Sequence, residues 1–245
     1  EIELYNLIHT GNGGDVDYYL KKCRDAESVL ELGCGSGRIT IPIGASGISV
    51  TGIDIDKEML AVFKSDPGYS ENRDKLLLHQ GDMRDFNLNK LFDLVIIPYN
   101  SLLCMTTFED AVTVLKNAKR HLKPGGEVIF DIYYVEQNDL SSIERDGFWD
   151  LGVFKDTNDA EIIVTEQAID NDDIQRLDTA YHFVYETGSN KGATHELLIK
   201  QRAIVVEDIK KLVESAGLKL VSIKNAFDEE TITDDTEQIV VVASN

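Results

Sequence analysis

One stretch, residues 28–38, limits the fold more than any other part of the chain. Val29 and Leu30 run into Glu31 and Leu32, then Gly33, Gly35 and Gly37 alternate with Cys34 and Ser36, and a helical pattern opens at Arg38. A near-continuous apolar run of this kind reads as a parallel strand buried on both faces. The turn that follows lacks Cβ atoms at alternate positions, so its backbone can come close to another group. The next helix offers its unpaired N–H groups to the same spot.

A lone G-x-G-x-G is weak evidence, and the support lies downstream. A second strand over residues 48–53 ends in Asp54. That acid falls about 20 residues past the loop, where nucleoside-binding α/β folds keep a ribose-binding carboxylate. A third strand, residues 76–80, runs into Gly81, Asp82 and Met83, and a fourth, residues 92–97, into Pro98, Tyr99 and Asn100. A helix over residues 107–120 precedes His121 and the turn Pro124-Gly125-Gly126, and a fifth strand covers residues 127–134. His121 reads as a packed or capping histidine.

The ordered stretches VLELGCGSGR, GIDID, GDM, FDLVIIPYN and HLKPGG resemble the class I S-adenosylmethionine-dependent methyltransferases. The resemblance covers residues 5–134 and resumes over residues 231–242. It implies an α/β, Rossmann-like, seven-stranded, mostly parallel sheet of order 3-2-1-4-5-7-6, with an antiparallel sheet inserted between strands 5 and 6. It implies S-adenosyl-L-methionine as cofactor, and small-molecule N-methyltransferases, including those acting on amino sugars, are similar in arrangement. The division expected is a lid over residues 1–24, a cofactor-binding domain over 25–140 and 205–245, and an inserted β subdomain over 141–204.

The resemblance also implies roles. Glu31 lies near the methionyl amino group, and Gly33, Gly35 and Gly37 make the loop. Asp54 accepts both ribose hydroxyls, since an ionised carboxylate has acceptor sites for two donors. Ile55 and Met83 sandwich the adenine and Asp82 accepts from its amino group; an Asx turn is the rival reading of Asp82. Arg38 either steers the methionyl carboxylate or is a solvated helix residue. Pro98 and Tyr99 stand where the methyl group meets the acceptor. Family members carry a Tyr-Asp lid element where this chain has Tyr5-Asn6. Tyr5 and Tyr18 then approach the cofactor or simply pack the lid.

Other features bound the function. The formal net charge of −20 repels a phosphate backbone, so a nucleic-acid substrate is not expected. Such a field can draw a cationic amine, although solubility is the plainer and favoured explanation. The three cysteines show no paired spacing, which fits a reducing cytoplasm and no metal site. No apolar run is long enough to span a bilayer.

Near the start, Gly11-Asn12-Gly13-Gly14 marks a turn between two short helices, with Asp15 or Asp17 as cap of the second. Helices are expected over residues 38–46 and 56–63, then a polar loop over 68–74. After Tyr134, period-two alternation marks three antiparallel runs: one with Ile162 and Val164, one over Leu177, Thr179, Tyr181, Phe183 and Tyr185, and one over residues 195–204. This insert is a roof over the site, a homodimer contact, or both. Residues 207–216 form a helix stopped by Gly217, and the final strands pair as a hairpin around an acidic loop over residues 228–237.

Methyl transfer from a sulfonium is an in-line displacement, in which positioning supplies roughly 7–11 kcal/mol. No strongly marked acid–base group is required. Tyr5, Tyr99 and His182 are the candidate catalytic residues. The expected function is transfer to a small-molecule amine, with an oxygen acceptor close behind. A nicotinamide-dependent oxidoreductase and a non-catalytic S-adenosylmethionine sensor are the rivals from other classes.

Overall fold

The computed structural model describes residues 2–144 and 146–245. The chain divides into two units, residues 11–135 with 204–245, and residues 1–10 with 136–203. The N-terminal segment expected as one lid is thus shared between them.

The elements in chain order begin with helices α1 (Ile2–Ile8) and α2 (Asp15–Cys23), followed by β1 (Ser28–Leu32), α3 (Thr40–Ala45), β2 (Ser49–Asp54), α4 (Lys57–Ser65) and α5 (Pro67–Glu71). Then come β3 (Leu76–Gln80), β4 (Phe92–Ile97), α6 (Phe108–Arg120) and β5 (Leu122–Tyr133). The insert holds β6 (Phe148–Lys155), β7 (Glu161–Ile169), β8 (Asp178–Tyr185) and β9 (Thr194–Ile199). The chain closes with α7 (Val206–Ser215), β10 (Lys219–Asn225) and β11 (Gln238–Ser244).

The larger unit is a seven-stranded sheet of order β10-β11-β5-β4-β1-β2-β3. Taking its strands in sequence, this is the expected 3-2-1-4-5-7-6. β1 lies at the centre, parallel to β2 on one side and β4 on the other. Every residue of β1 is buried, Glu31 included, which explains the continuous apolar reading. Only β11 runs antiparallel to its neighbours β5 and β10. One apolar layer gathers Leu30, Leu32, Phe92 and Phe130 with Leu115 of α6 and Leu212 of α7. The other gathers Val29, Ile96 and Ile129 with Tyr19 of α2, Ile43 of α3 and Phe63 of α4. Alternate residues of β1 and β4 serve the two layers, as the strand period requires.

The ends of the helices depart from the sequence reading for local reasons. Residues 68–74 were expected as polar loop, but α5 forms there. Asp66 caps it by accepting from Gly68 N at 2.7 Å, and Pro67 supplies the preset φ of a first helical position. At α2 neither aspartate caps. Gly14 occupies the cap position at φ 86°, where no side chain is needed, and Asp15 turns to other partners. The expected cap of α4 is present, with Asp56 accepting from Glu58 N at 2.7 Å. His121 is packed and hydrogen-bonded at both ring nitrogens. Nδ1 donates to Asn117 O at 2.8 Å and Nε2 accepts from Leu88 N at 3.2 Å, with the ring stacked on Phe86.

The smaller unit is an antiparallel sheet of order β6-β7-β8-β9. Its first strand, β6, escaped the sequence reading because a register shift between Asp150 and Gly152 breaks the alternation. The third expected run is shorter, ending at Ile199. Ile162, Val164, Phe183 and Tyr185 share one face, and Leu4 of α1 is buried among them with Leu7 and Ile8 alongside. Among the described residues, no helix is long and apolar enough to cross a membrane.

Candidate cofactor site

The glycine turn is fastened to the end of β2. Gly33 N and Cys34 N both donate to Ile53 O, at 2.8 and 3.0 Å, and Gly35 N donates to Asp54 Oδ2 at 2.7 Å. The other carboxylate oxygen, Oδ1, accepts from Asp56 N at 2.9 Å. Asp54 therefore spends one acceptor direction per oxygen on the backbone and retains the others. Burial raises its pKa, and the backbone donors counter that rise.

The three glycines serve different ends. All have positive φ: 75° at Gly33, 51° at Gly35 and 95° at Gly37. A Cβ on Gly33 would lie 2.9 Å from Ser101 Oγ, and one on Gly37 would lie 2.6 Å from the Phe63 ring. Those two are required by packing. A Cβ on Gly35 would meet nothing within 4 Å, so its face is open for close approach. We expect Gly37→Ala to lose about 1–3 kcal/mol of stability through overpacking. Gly35→Ala should fold with a smaller loss, near 1 kcal/mol for the left-handed backbone, and bind S-adenosylhomocysteine poorly. Urea unfolding and a binding titration on both variants check this; equal stability losses would contradict it.

The contact between Gly33 and Ser101 joins the turn to the end of β4. Tyr99 and Asn100 there are consecutive left-handed residues, φ 55° and 59°. Two such residues outside glycine are strained unless held. Asp131 of β5 holds them: its Oδ1 accepts from Tyr99 N at 2.9 Å and from Tyr19 Oη at 2.5 Å. It is fully buried, and desolvation pushes its pKa up to about 6. Among the described residues, Asp131 Oδ2 and Asn100 Oδ1 are buried without a hydrogen-bond partner. The sequence reading carried the fifth strand through Asp131 and gave that residue no role. Its charge was the available signal: an acid in a doubly covered strand needs a partner.

Arg38 is not a solvated helix residue. It precedes α3, pairs with the buried Asp15 at 2.7 Å, and lies 5.0 Å from the centre of the Tyr99 ring. Gly11 packs directly on its guanidinium, leaving no room for a Cβ. Glu31 is buried two residues before the glycine turn begins at Gly33 and accepts from Thr40 Oγ1. Burial pushes its pKa up to about 8, with Arg38 drawing it down and Asp54 and Asp15 raising it further. Asp15, Glu31, Asp54 and Asp131 thus form an acidic group beside Arg38, which pairs with Asp15.

The remaining expected residues vary. Ile55 is 63% exposed at the end of β2, an apolar surface on open display. The Met83 methyl group lies 3.9 Å from the Cβ position of Gly33. Asp82 follows its rival reading. It accepts from Arg84 N at 2.8 Å and pairs with the Arg84 guanidinium at 2.6 Å. Pro98 O accepts from Ser101 Oγ at 2.6 Å. Tyr18 is buried edge-on against Tyr19 and Phe227, the packing arrangement. Tyr5 lies in the smaller unit, stacked on His9 at 4.2 Å. His182 is also in that unit, its Nδ1 3.4 Å from Glu196 Oε2, on the face away from Phe183.

An α/β sheet whose central strand ends in an open glycine turn, with an acid at the next strand end and exposed apolar surface after it, defines a nucleoside-binding protein. A family model described as a methyltransferase domain matches residues 29–126. The chain is a class I S-adenosylmethionine-dependent methyltransferase, with S-adenosyl-L-methionine as its cofactor. It is 24% identical to the cypemycin N-terminal methyltransferase of a Streptomyces species, over 98% of this chain and 94% of that one. It is 29% identical to the dTDP-3-amino-3,6-dideoxy-alpha-D-glucopyranose N,N-dimethyltransferase of Streptomyces fradiae, over 56% of this chain and 54% of that one. Among solved structures, it superposes on an S-adenosylmethionine-dependent methyltransferase from Clostridium acetobutylicum with TM-score 0.81 and 21% identity, covering 98% and 96% of the two chains.

Proposed function

We propose that the chain transfers a methyl group from S-adenosylmethionine to the nitrogen of a small amine. The observation that carries this is the acidic group at the carboxyl edge of the sheet. The charges of Asp54 and Asp15 raise the Glu31 pKa and that of Asp15 raises the Asp131 pKa, with Arg38 as the cationic neighbour of Asp15. Such a group favours cationic ligands and disfavours anionic ones. Relatives named as amino-sugar N,N-dimethyltransferases support the same class.

In this reading Glu31 holds the methionyl ammonium and Asp54 the ribose hydroxyls. Gly35 lets the backbone approach, and Ile55 with Met83 covers the adenine. The bound cofactor supplies an activated methyl group on a sulfonium. The protein's work is alignment and exclusion of water. Asp131 and Tyr19 fix the Tyr99–Asn100 turn, so the backbone at the end of β4 cannot relax away. Burial raises the Tyr99 pKa. At neutral pH its phenol keeps its proton and orients rather than deprotonates. Aspartate and tyrosine packed in this way leave proton removal to solvent: an amine that arrives as ammonium loses a proton before transfer, because the attack on the methyl group needs its lone pair.

The test is methyl transfer from labelled S-adenosylmethionine to a panel of primary amines, amino sugars and phenols. Products methylated on nitrogen, at rates at least tenfold above any phenol, are expected. Methylation of phenols alone would replace the proposal with an oxygen acceptor.

A further inference from the structure

Within the smaller unit, one row of the four-stranded sheet differs from the rest. Cross-strand pairing sets Trp149 of β6 opposite Glu166 of β7, Glu166 opposite Tyr181 of β8, and Tyr181 opposite Leu197 of β9. Directly opposed residues on an antiparallel sheet share a face, with Cβ atoms about 4.5–5.5 Å apart. So one acidic residue stands between two aromatic residues, and the Trp149 ring reaches over Gly147. It is the face that also carries Val164 and Phe183, and α1 packs on it through Leu4. His9 meets the Tyr181 ring edge-on at 5.2 Å, and Tyr5 stacks on His9.

Glu166 is half-buried here. Among the described residues its carboxylate has neither a hydrogen-bond donor nor an ion-pair partner. Two other acids of the same unit are held by arginines: Asp178 by Arg176 at 2.6 Å, and Asp173 by Arg202. Burial alone raises the Glu166 pKa, which says that nothing in the fold compensates its charge. Burial lowers that of His9, so its ring is neutral at pH 7 and supplies no cation to the acid. A half-buried carboxylate between aromatic faces is complementary to an organic ammonium. The rings attract the cation through their quadrupoles and the acid accepts its N–H. A neutral alcohol gains little from either.

We propose that Trp149, Glu166 and Tyr181, with His9 and Tyr5 beside them, form a binding site for an organic ammonium group. The site rests on the amine reading above for its biological ligand and names that ligand's chemistry: a compact alkyl or ring amine, carried as the protonated form when it is first bound. Glu166 is the specificity-determining residue and the aromatic rings are its walls.

Trp149 is the one tryptophan in the sequence, so intrinsic fluorescence reports on this row directly. The probe is cyclohexylammonium chloride, with cyclohexanol as its neutral match. A saturable change in Trp149 emission is expected with the ammonium, at an affinity at least about tenfold above that of the alcohol. Glu166→Gln should remove that preference while its thermal shift with S-adenosylhomocysteine stays that of the parent, showing an intact fold. Tyr181→Phe, which keeps the ring, should retain binding. No saturable response, equal affinity for ammonium and alcohol, or an unchanged preference in Glu166→Gln would each overturn the site. The two readings fail separately. Ammonium binding without methylation of any amine sinks the acceptor proposal alone. Amine methylation with an unchanged KM in Glu166→Gln sinks this one alone.

Discussion

Asp54→Ala is expected to lower affinity for S-adenosylhomocysteine by about 100-fold or more. Two consequences add. The variant lacks the charged acceptor for two hydroxyl donors, and hydrogen bonds to a charged group contribute roughly 1.5–3 kcal/mol each. It also frees Gly35 N, which Asp54 holds at 2.7 Å, so the turn loses the tether that keeps its open face in place. The Asp54→Asn variant separates these parts. Its amide oxygen can still accept from Gly35 N, so it should recover part of the loss. Calorimetric titration of the parent and both variants gives the three affinities. An Asp54→Ala protein that binds the thioether within threefold of the parent would remove Asp54 from the site.

The second large effect concerns pH. Glu31 is fully buried and its carboxyl is raised from 4.5 to about 8, chiefly by desolvation, with the Thr40 hydroxyl and Arg38 pulling the other way. Between those pH values the folded state keeps a proton that the unfolded chain has released. Stability therefore falls as pH rises through this window, and the penalty is complete above the folded pKa. Glutamine carries no charge to desolvate and can still accept from Thr40. Glu31→Gln should match the parent near pH 4 and exceed it on the order of 4 kcal/mol at pH 9. Asp131 is raised too, but it is present in both proteins and cancels. The same substitution should weaken S-adenosylmethionine binding, because an acid beside the turn is what attracts a cationic ligand. Urea titrations of both proteins at several pH values decide the matter; a stability difference that does not change with pH would show that Glu31 stays ionised in the fold.

These two acids also show what a sequence can and cannot display. Glu31 and Asp54 were legible because they end strands next to a glycine turn, a spacing fixed by local backbone geometry. The sheet order was legible for a related reason: five strand ends with their turns repeat one supersecondary unit. Asp131 was not legible. Its significance depends on Tyr19, far away in the chain, and on a left-handed pair at Tyr99 and Asn100 that no local pattern announces. Arg38 was left between two readings, a carboxylate-steering residue and a solvated helix residue, because the groups that enclose it, Asp15 and Gly11, lie more than twenty residues back. Asp82 matched the family's motif, yet Arg84, only two residues on, engages both its carboxylate oxygens. The first strand of the insert was missed because a bulge at Asp150–Gly152 shifts its phase.

The position of β11 bears on how the chain acquires its structure. It lies between β5 and β10, so both neighbours wait for it. While a ribosome is still making residues 238–244, β10 is an unmatched ribbon and β5 an unfinished border with one flank bare. Closing the sheet requires Ile239 to find Ile132, a partner more than a hundred residues upstream. Long-separation pairing of this kind slows the final step. During that interval β5 keeps a bare backbone edge, the kind of border that invites pairing with another chain.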